Sequence, residues 1–231
     1  MEFSIINILL SLISGCIIAL LASTRIYRIS LGLSVLEGAG KIINLTIKHK
    51  FIIFFIAAAG SYKILSAYSF SMTYIVLLFL LYALIVIAAI DYNYRIILNI
   101  SSLLLIICGL LSCLFSSLLG DSVLDRFINS LFGIVCGGGI LRVFEFIGRR
   151  IYKKEVMGGG DIKLMAAAGS IIGASKIVMA IFCGFLLGAV AGLVLILFKK
   201  ADRKDYIPFG PFLAAGIYIS LFFNKIPFLL I

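Results

Sequence analysis

Long apolar runs alternate along this chain with short polar segments that are mostly basic. A helix needs about 20 largely apolar residues to cross the hydrocarbon of a bilayer. Runs of that kind fall at about 3–22, 51–69, 74–90, 96–117, 126–147, 177–198 and 207–223, and a shorter one, 162–174, follows a glycine-rich stretch. The pattern predicts an all-α fold: a polytopic integral membrane bundle of about eight transmembrane helices. The first run has only Glu2 ahead of it and lacks the basic n-region of a cleavable signal peptide, so it is expected to be retained. The first and last segments share no detectable repeat. On this reading residues 1–50 hold the first helix and a short basic loop, and residues 51–231 form the domain that carries the chemistry.

Composition strengthens the membrane reading. Hydrophobic residues are 63% of 231 positions and charged ones 13%, against roughly 45–50% and about 25% in soluble domains; mean hydropathy is +1.24. Lys and Arg then orient the bundle. With the N-terminus outside and eight crossings, the inner segments hold Arg25, Arg28, Lys41, Lys48, Lys50, Arg95, Arg149, Arg150, Lys153, Lys154, Lys163, Lys199, Lys200, Arg203 and Lys204. Arg142 falls inside a run, and only Lys63, Arg126, Lys176 and Lys225 are left for the outer face. The positive-inside rule favours this arrangement. Because both flanks of 162–198 are basic, that stretch is expected to cross twice, as two short helices. The net charge of +10 suits anionic inner-leaflet lipids. Nucleic acid is not an expected partner, since the interleaving of aromatic and basic residues and any soluble domain are missing.

A charge inside a membrane span is costly and marks a candidate site. Most of the acids fall in loops: Asp121 and Asp125 outside, Glu37, Glu155, Asp202 and Asp205 inside. Glu145 follows Arg142 by three residues, a helical spacing that suits an ion pair. Asp91 is different, because the uncharged run from Tyr74 to Ile90 leads directly into it. Asp161 lies between Gly158-Gly159-Gly160 and the apolar run from Ile162 to Ile172. Two crossings separate the aspartates, so both are expected on the cytosolic side at similar depth.

Two carboxylates that share a site do not both ionise easily, which leaves a general base beside a general acid. Such a pair can activate water against a peptide carbonyl and protonate the leaving amine. No metal or cofactor is expected: His49 is the only histidine, and the five cysteines form no Cys-x-x-Cys pair. A Gly-x-Ser-x-Gly elbow is also missing. The glycines before Asp161 suggest backbone with φ above zero and close approach of a substrate backbone. Lys163 either tunes Asp161 or snorkels at the inner face. Gly184, Gly188 and Gly192, four apart, predict a close-packing helix face.

The stretch Met157-Gly-Gly-Gly-Asp-Ile-Lys-Leu-Met-Ala-Ala-Ala-Gly169 resembles the type IV prepilin peptidases, whose Gly-x-Gly-Asp hallmark falls on Gly158, Gly160 and Asp161. Ile207-Pro-Phe-Gly-Pro-Phe-Leu-Ala-Ala-Gly216 is similar to a segment near the family's C-terminus, and the family's first catalytic aspartate falls on Asp91. The resemblance implies a membrane aspartic endopeptidase with Asp91 and Asp161 as catalytic pair and Gly158, Gly160 and Lys163 as a supporting loop. Its implied partner is a type IV prepilin-like precursor, cut at the cytosolic face of the cytoplasmic membrane. Two features depart from the pattern. Leu98 stands where the family usually has proline, before Asn99. The loop 23–50 also holds none of the paired Cys-x-x-Cys motifs that many bacterial members carry there, which leaves N-methylation doubtful. The alternatives are an archaeal-type preflagellin peptidase, disfavoured by the Ile207–Gly216 stretch, and a proton- or cation-coupled transporter. A transporter would need polar residues through the midplane and preferably an internal repeat.

Overall fold

The computed structural model describes residues 2–37, 46–153, 157–198 and 208–222. The described chain is helical: α1 (Glu2–Glu37), α2 (Ile47–Tyr68), α3 (Met72–Tyr94), α4 (Asn99–Ser112), α5 (Val123–Tyr152), α6 (Gly159–Leu197) and α7 (Gly210–Ser220), with a 3-10 turn at Ser117–Leu119. No strand occurs among the described residues. Five helices (α1, α2, α3, α5 and α6) are long and apolar enough to cross a membrane, and α4 and α7 are shorter apolar helices. Large apolar side chains stand exposed along them, Ile13, Ile17 and Leu20 on α1 and Phe132, Val135 and Phe144 on α5 among them. That surface suits lipid, not water. The fold is the all-α polytopic bundle that the apolar runs predict.

The chain forms two compact units, Met1–Tyr94 and Arg95–Ile231. In the first, α1 and α2 run antiparallel and close together. Gly15 lies against Ala58, where an added Cβ would come 2.6 Å from the Ala58 Cα, and the Ser61 hydroxyl donates to the Ser11 carbonyl at 3.0 Å. α3 runs parallel to α1: Tyr74 donates to the Ser14 hydroxyl at 3.3 Å near one end, and Tyr94 to the Ser30 carbonyl at 3.3 Å near the other. α1 does not stop at the membrane boundary expected near residue 22 but continues to Glu37. Ala22, Ile26 and Ser30, four residues apart, stay fully buried, so the packing face carries on past the first basic residues.

The second unit is built around α5 and α6. The first limb of α6 runs antiparallel to α5: Gly137 meets the Met165 carbonyl, Gly133 meets the Gly169 carbonyl, and the Ser130 hydroxyl donates to the Ser170 carbonyl at 2.7 Å. Gly173 then breaks the helix with φ 79° and ψ 173°, a conformation that L side chains rarely adopt. The direction reverses there. Gly137, level with Met165 of the first limb, also faces Ile177 of the second, and Phe144 stacks on Phe185 with ring centroids 5.5 Å apart. The second limb therefore runs back parallel to α5. α7 returns antiparallel to it, with Gly216 against the Ala180 carbonyl and Leu213 against Gly184. Two of the three spaced glycines of this limb form the expected packing face: Gly184 admits Leu213, and Gly188 admits the Phe209 ring.

Two expected spans change. The run 96–117 shortens to α4, 14 residues, about 21 Å long. The chain turns at Cys113–Ser116 into the 3-10 turn, whose Leu119 covers Gly173 and accepts from the Asn129 side chain at 2.6 Å. The break in 162–198 falls at Gly173, not between 174 and 177, because glycine alone takes that φ at little cost. The last span is described as Gly210–Ser220; Ile207 lies outside the described residues, as do Lys41, Lys154, Glu155, Lys199, Lys200, Asp202, Arg203, Lys204, Asp205 and Lys225.

The reversal at Gly173 has a topological consequence. In a variant freed of its native cysteines, Asp121→Cys and Lys176→Cys should both react with an impermeant maleimide from one side of the membrane, and Lys153→Cys from the other. Labelling of 176 from the same side as 153 would show that the first limb of α6 re-enters without crossing.

Candidate active site

Asp91 belongs to the first unit. It lies in the last turn of α3, where Leu77, Leu80, Leu84, Ile87 and Ile90 form the buried face, and it is itself only 5% exposed. Its carboxyl thus sits beside the end of a helix whose dipole disfavours negative charge. The α3 helix ends three residues later, where Arg95 takes a left-handed conformation, φ 58°.

Asp161 belongs to the second unit and is likewise 5% exposed. It lies in the first turn of α6, and its backbone N–H donates to the Gly158 carbonyl at 3.1 Å. The partial positive charge of a helix N-terminus favours a carboxylate there. The glycine run works differently from its expected role. Gly158 is the N-cap with φ −68° and ψ 135°, and Gly159 and Gly160 are already helical, so none of the three needs a positive φ. The expected supporting loop is therefore the start of a helix, with Gly158 before its first turn and Gly160 and Lys163 within the helix. Gly160 is needed for space: a Cβ there would lie 2.8 Å from the Ile97 Cβ. The close approach is to the chain's own segment 95–98.

Lys163 is more than a snorkelling side chain. Its ammonium donates to the Asn99 Oδ1 at 2.7 Å, tying the Asp161 turn to the first residue of α4. Leu98, in the place of the family's usual proline, takes the extended N-cap conformation (φ −69°, ψ 128°), and α4 starts directly after it. The helix start needs no proline here. Asn99 itself was not among the expected site residues. The cue was present, since a lone amide opening an apolar span calls for a partner as a lone charge does.

Farther along, Arg142 and Glu145 form the expected ion pair, 2.8 Å apart, with Glu145 buried and Arg142 exposed. The pair borders a separate cleft of about 440 Å³ with Arg149 and Phe146.

The sequence profile of the type IV leader peptidase family matches residues 78–193, just over half of the chain and a stretch that includes both aspartates. The chain belongs to this family. Among curated members, the prepilin leader peptidase/N-methyltransferase of Pseudomonas aeruginosa is 29% identical over 145 residues, 63% of this chain and 48% of that protein. The protein of the same description from Xanthomonas campestris pv. campestris is 35% identical over 96 residues, 42% of this chain and 33% of its own length. That from Bacillus subtilis is 31% identical over 103 residues, 45% and 40%. The chain thus spans from a third to about half the length of these relatives. No solved structure matches it significantly.

The tight fit at Gly160 yields a test. Gly160→Ala should destabilise the protein by about 1–3 kcal/mol, the usual range for overpacking. Ile97→Ala in the same chain should recover part of that loss, a coupling of about 1 kcal/mol in a double-mutant cycle, read by thermal unfolding in detergent. Strictly additive effects would mean that the two residues do not meet.

Proposed function

We propose that this chain is a membrane-embedded aspartic endopeptidase that removes the leader peptide of type IV prepilin-like precursors. The observation that carries the reading is the family match across 78–193, a stretch in which Asp91 and Asp161 are both buried acids. In this reading the two aspartates work as one unit. We take the roles from the helix ends, since negative charge is favoured at the start of α6 and disfavoured at the end of α3. Asp161 is therefore the base that takes a proton from the attacking water. Asp91 is the acid that protonates the carbonyl oxygen and then the leaving amine. Lys163 and Asn99 hold the Asp161 turn, Gly158 caps it, and Gly160 makes room for Ile97 beside it.

The substrate reading follows from the same chemistry. A precursor with a basic leader gains nothing from the positive segments of this chain, so its apolar helix, entering the bilayer, supplies the binding. On this reading the site faces the cytosol from the cytoplasmic membrane, in keeping with the positive-inside distribution of Lys and Arg. Residues 51–231 carry this activity. The transporter alternative has no support in the family match. N-methylation, which appears in the relatives' names, is not assigned to this chain, because the segment 23–50 has no cysteine.

Two experiments follow. Asp91→Asn and Asp161→Asn should each lower cleavage of a co-expressed prepilin by roughly 100-fold or more, as loss of a general acid or base does, at unchanged protein level. The double variant should be little worse than either single one, and Asp121→Asn should cleave normally; full activity in either single variant would sink the paired mechanism. Mass spectrometry of a mature substrate processed by this protein alone should find a free N-terminal amine. A methylated terminus would return methyl transfer to this chain.

A further inference from the structure

A basic cleft of about 690 Å³ opens in the first unit, lined by Leu21, Thr24, Arg25, Arg28, Lys50 and Tyr82, with Ser23 and Tyr27 beside them. Leu21, Thr24, Arg25 and Arg28 fall at i, i+3, i+4 and i+7 of α1 and so share one face. Lys50 comes from the first turn of α2, and Tyr82 from α3. Three cations thus border one concavity. Arg25, Arg28 and Lys50 have exposed side chains, and none pairs with a carboxylate among the described residues. The hydroxyls of Ser23 and Thr24 already donate to the Leu20 and Leu21 carbonyls, at 2.9–3.1 Å. They keep acceptor capacity only. The donors left for a ligand are the guanidinium groups, the ammonium and the phenols, a set that suits phosphate oxygens.

We propose that this cleft binds the headgroup phosphate of an anionic phospholipid. The flanking surface decides between a lipid and a free phosphate. On α1 the exposed apolar stripe of Ile13, Ile17, Leu20 and Leu21 runs up to Arg25; on α2 Phe51, Ile52, Phe55 and Ile56 stand exposed directly after Lys50. The antiparallel packing of α1 and α2 brings these boundaries to one level. Cations therefore sit at the edge of an apolar wall, where a phospholipid has its phosphate, and the wall continues along the path of the acyl chains. A soluble anion would have no use for that wall. The site is independent of the peptidase reading, since it uses neither aspartate.

The test uses the whole chain, purified and reconstituted in nanodiscs of phosphatidylcholine with or without phosphatidylglycerol. Native mass spectrometry should find phosphatidylglycerol retained preferentially, and thermal unfolding should shift upward when it is present. Arg25→Gln, Arg28→Gln and Lys50→Gln should each lower retention by about fivefold, from the attraction of one surface cation for an anionic lipid. Their unfolding in pure phosphatidylcholine should match that of the parent. Lys48→Gln, on the same helical turn but outside the cleft, should keep full retention. An equal loss with Lys48→Gln would show diffuse charge attraction and overturn the site. Equal retention of phosphatidylcholine, or equal stabilisation by inorganic phosphate at matched ionic strength, would overturn the lipid assignment.

Discussion

The second unit depends on one constraint: α5 and the first limb of α6 must approach until their backbones touch. Lipid tails are as apolar as leucine, so burial of apolar side chains does not drive helices together within a bilayer. Close van der Waals contact and a few hydrogen bonds must do so. Gly133 and Gly169 face one another, and a Cβ on either would run into the other's carbonyl. The Ser130–Ser170 hydrogen bond lies beside them. This contact fixes the height of the first limb against α5. It therefore also fixes Asp161, two turns before Gly169. Gly173 follows one turn later, and its reversal lets the second limb pack on the same α5 glycine, Gly137, that the first limb uses.

That anchoring explains why a carboxylate can stay buried at the start of α6. The N-terminal end of the helix offsets part of its desolvation, within a frame that packs closely around that turn. Gly160 brings the segment around Ile97 to within van der Waals distance, and the Lys163–Asn99 bond of 2.7 Å closes the same junction from the other side. Asp91 lacks the helix-end advantage. A buried acid at the unfavourable end of a helix is an expensive feature.

Much of this was legible in the sequence. Apolar runs mark helices because the bilayer leaves the backbone no other way to satisfy its polar groups, and Asp91 and Asp161 were visible because charge is scarce in those runs. The Arg142–Glu145 pair and the Gly184–Gly188 face followed from helical spacing alone. What could not be read depended on tertiary contact. The extension of α1 past Arg25 rests on Ala22, Ile26 and Ser30 having a surface to pack on, and the shortening of α4 rests on the turn that lets Leu119 cover Gly173. The glycines before Asp161 were legible as special, but not for the right reason. Sequence cannot distinguish a glycine kept for its φ from one kept for a neighbour's Cβ. Gly160 is the second kind and Gly173 the first.

The charges obey a related logic. The chain has 20 basic and 10 acidic residues. In a soluble protein such an excess would be balanced by water and salt. Here Arg25, Arg28 and Lys50 stand at the edge of an apolar belt, where the surrounding medium itself carries fixed negative charge. A cation at that depth needs no carboxylate from its own chain, because a lipid phosphate can supply the counter-charge and is held there by its acyl chains. The acids have no such partner in the bilayer. They must be neutralised by protonation, by a helix end or by a basic residue, as Glu145 is by Arg142.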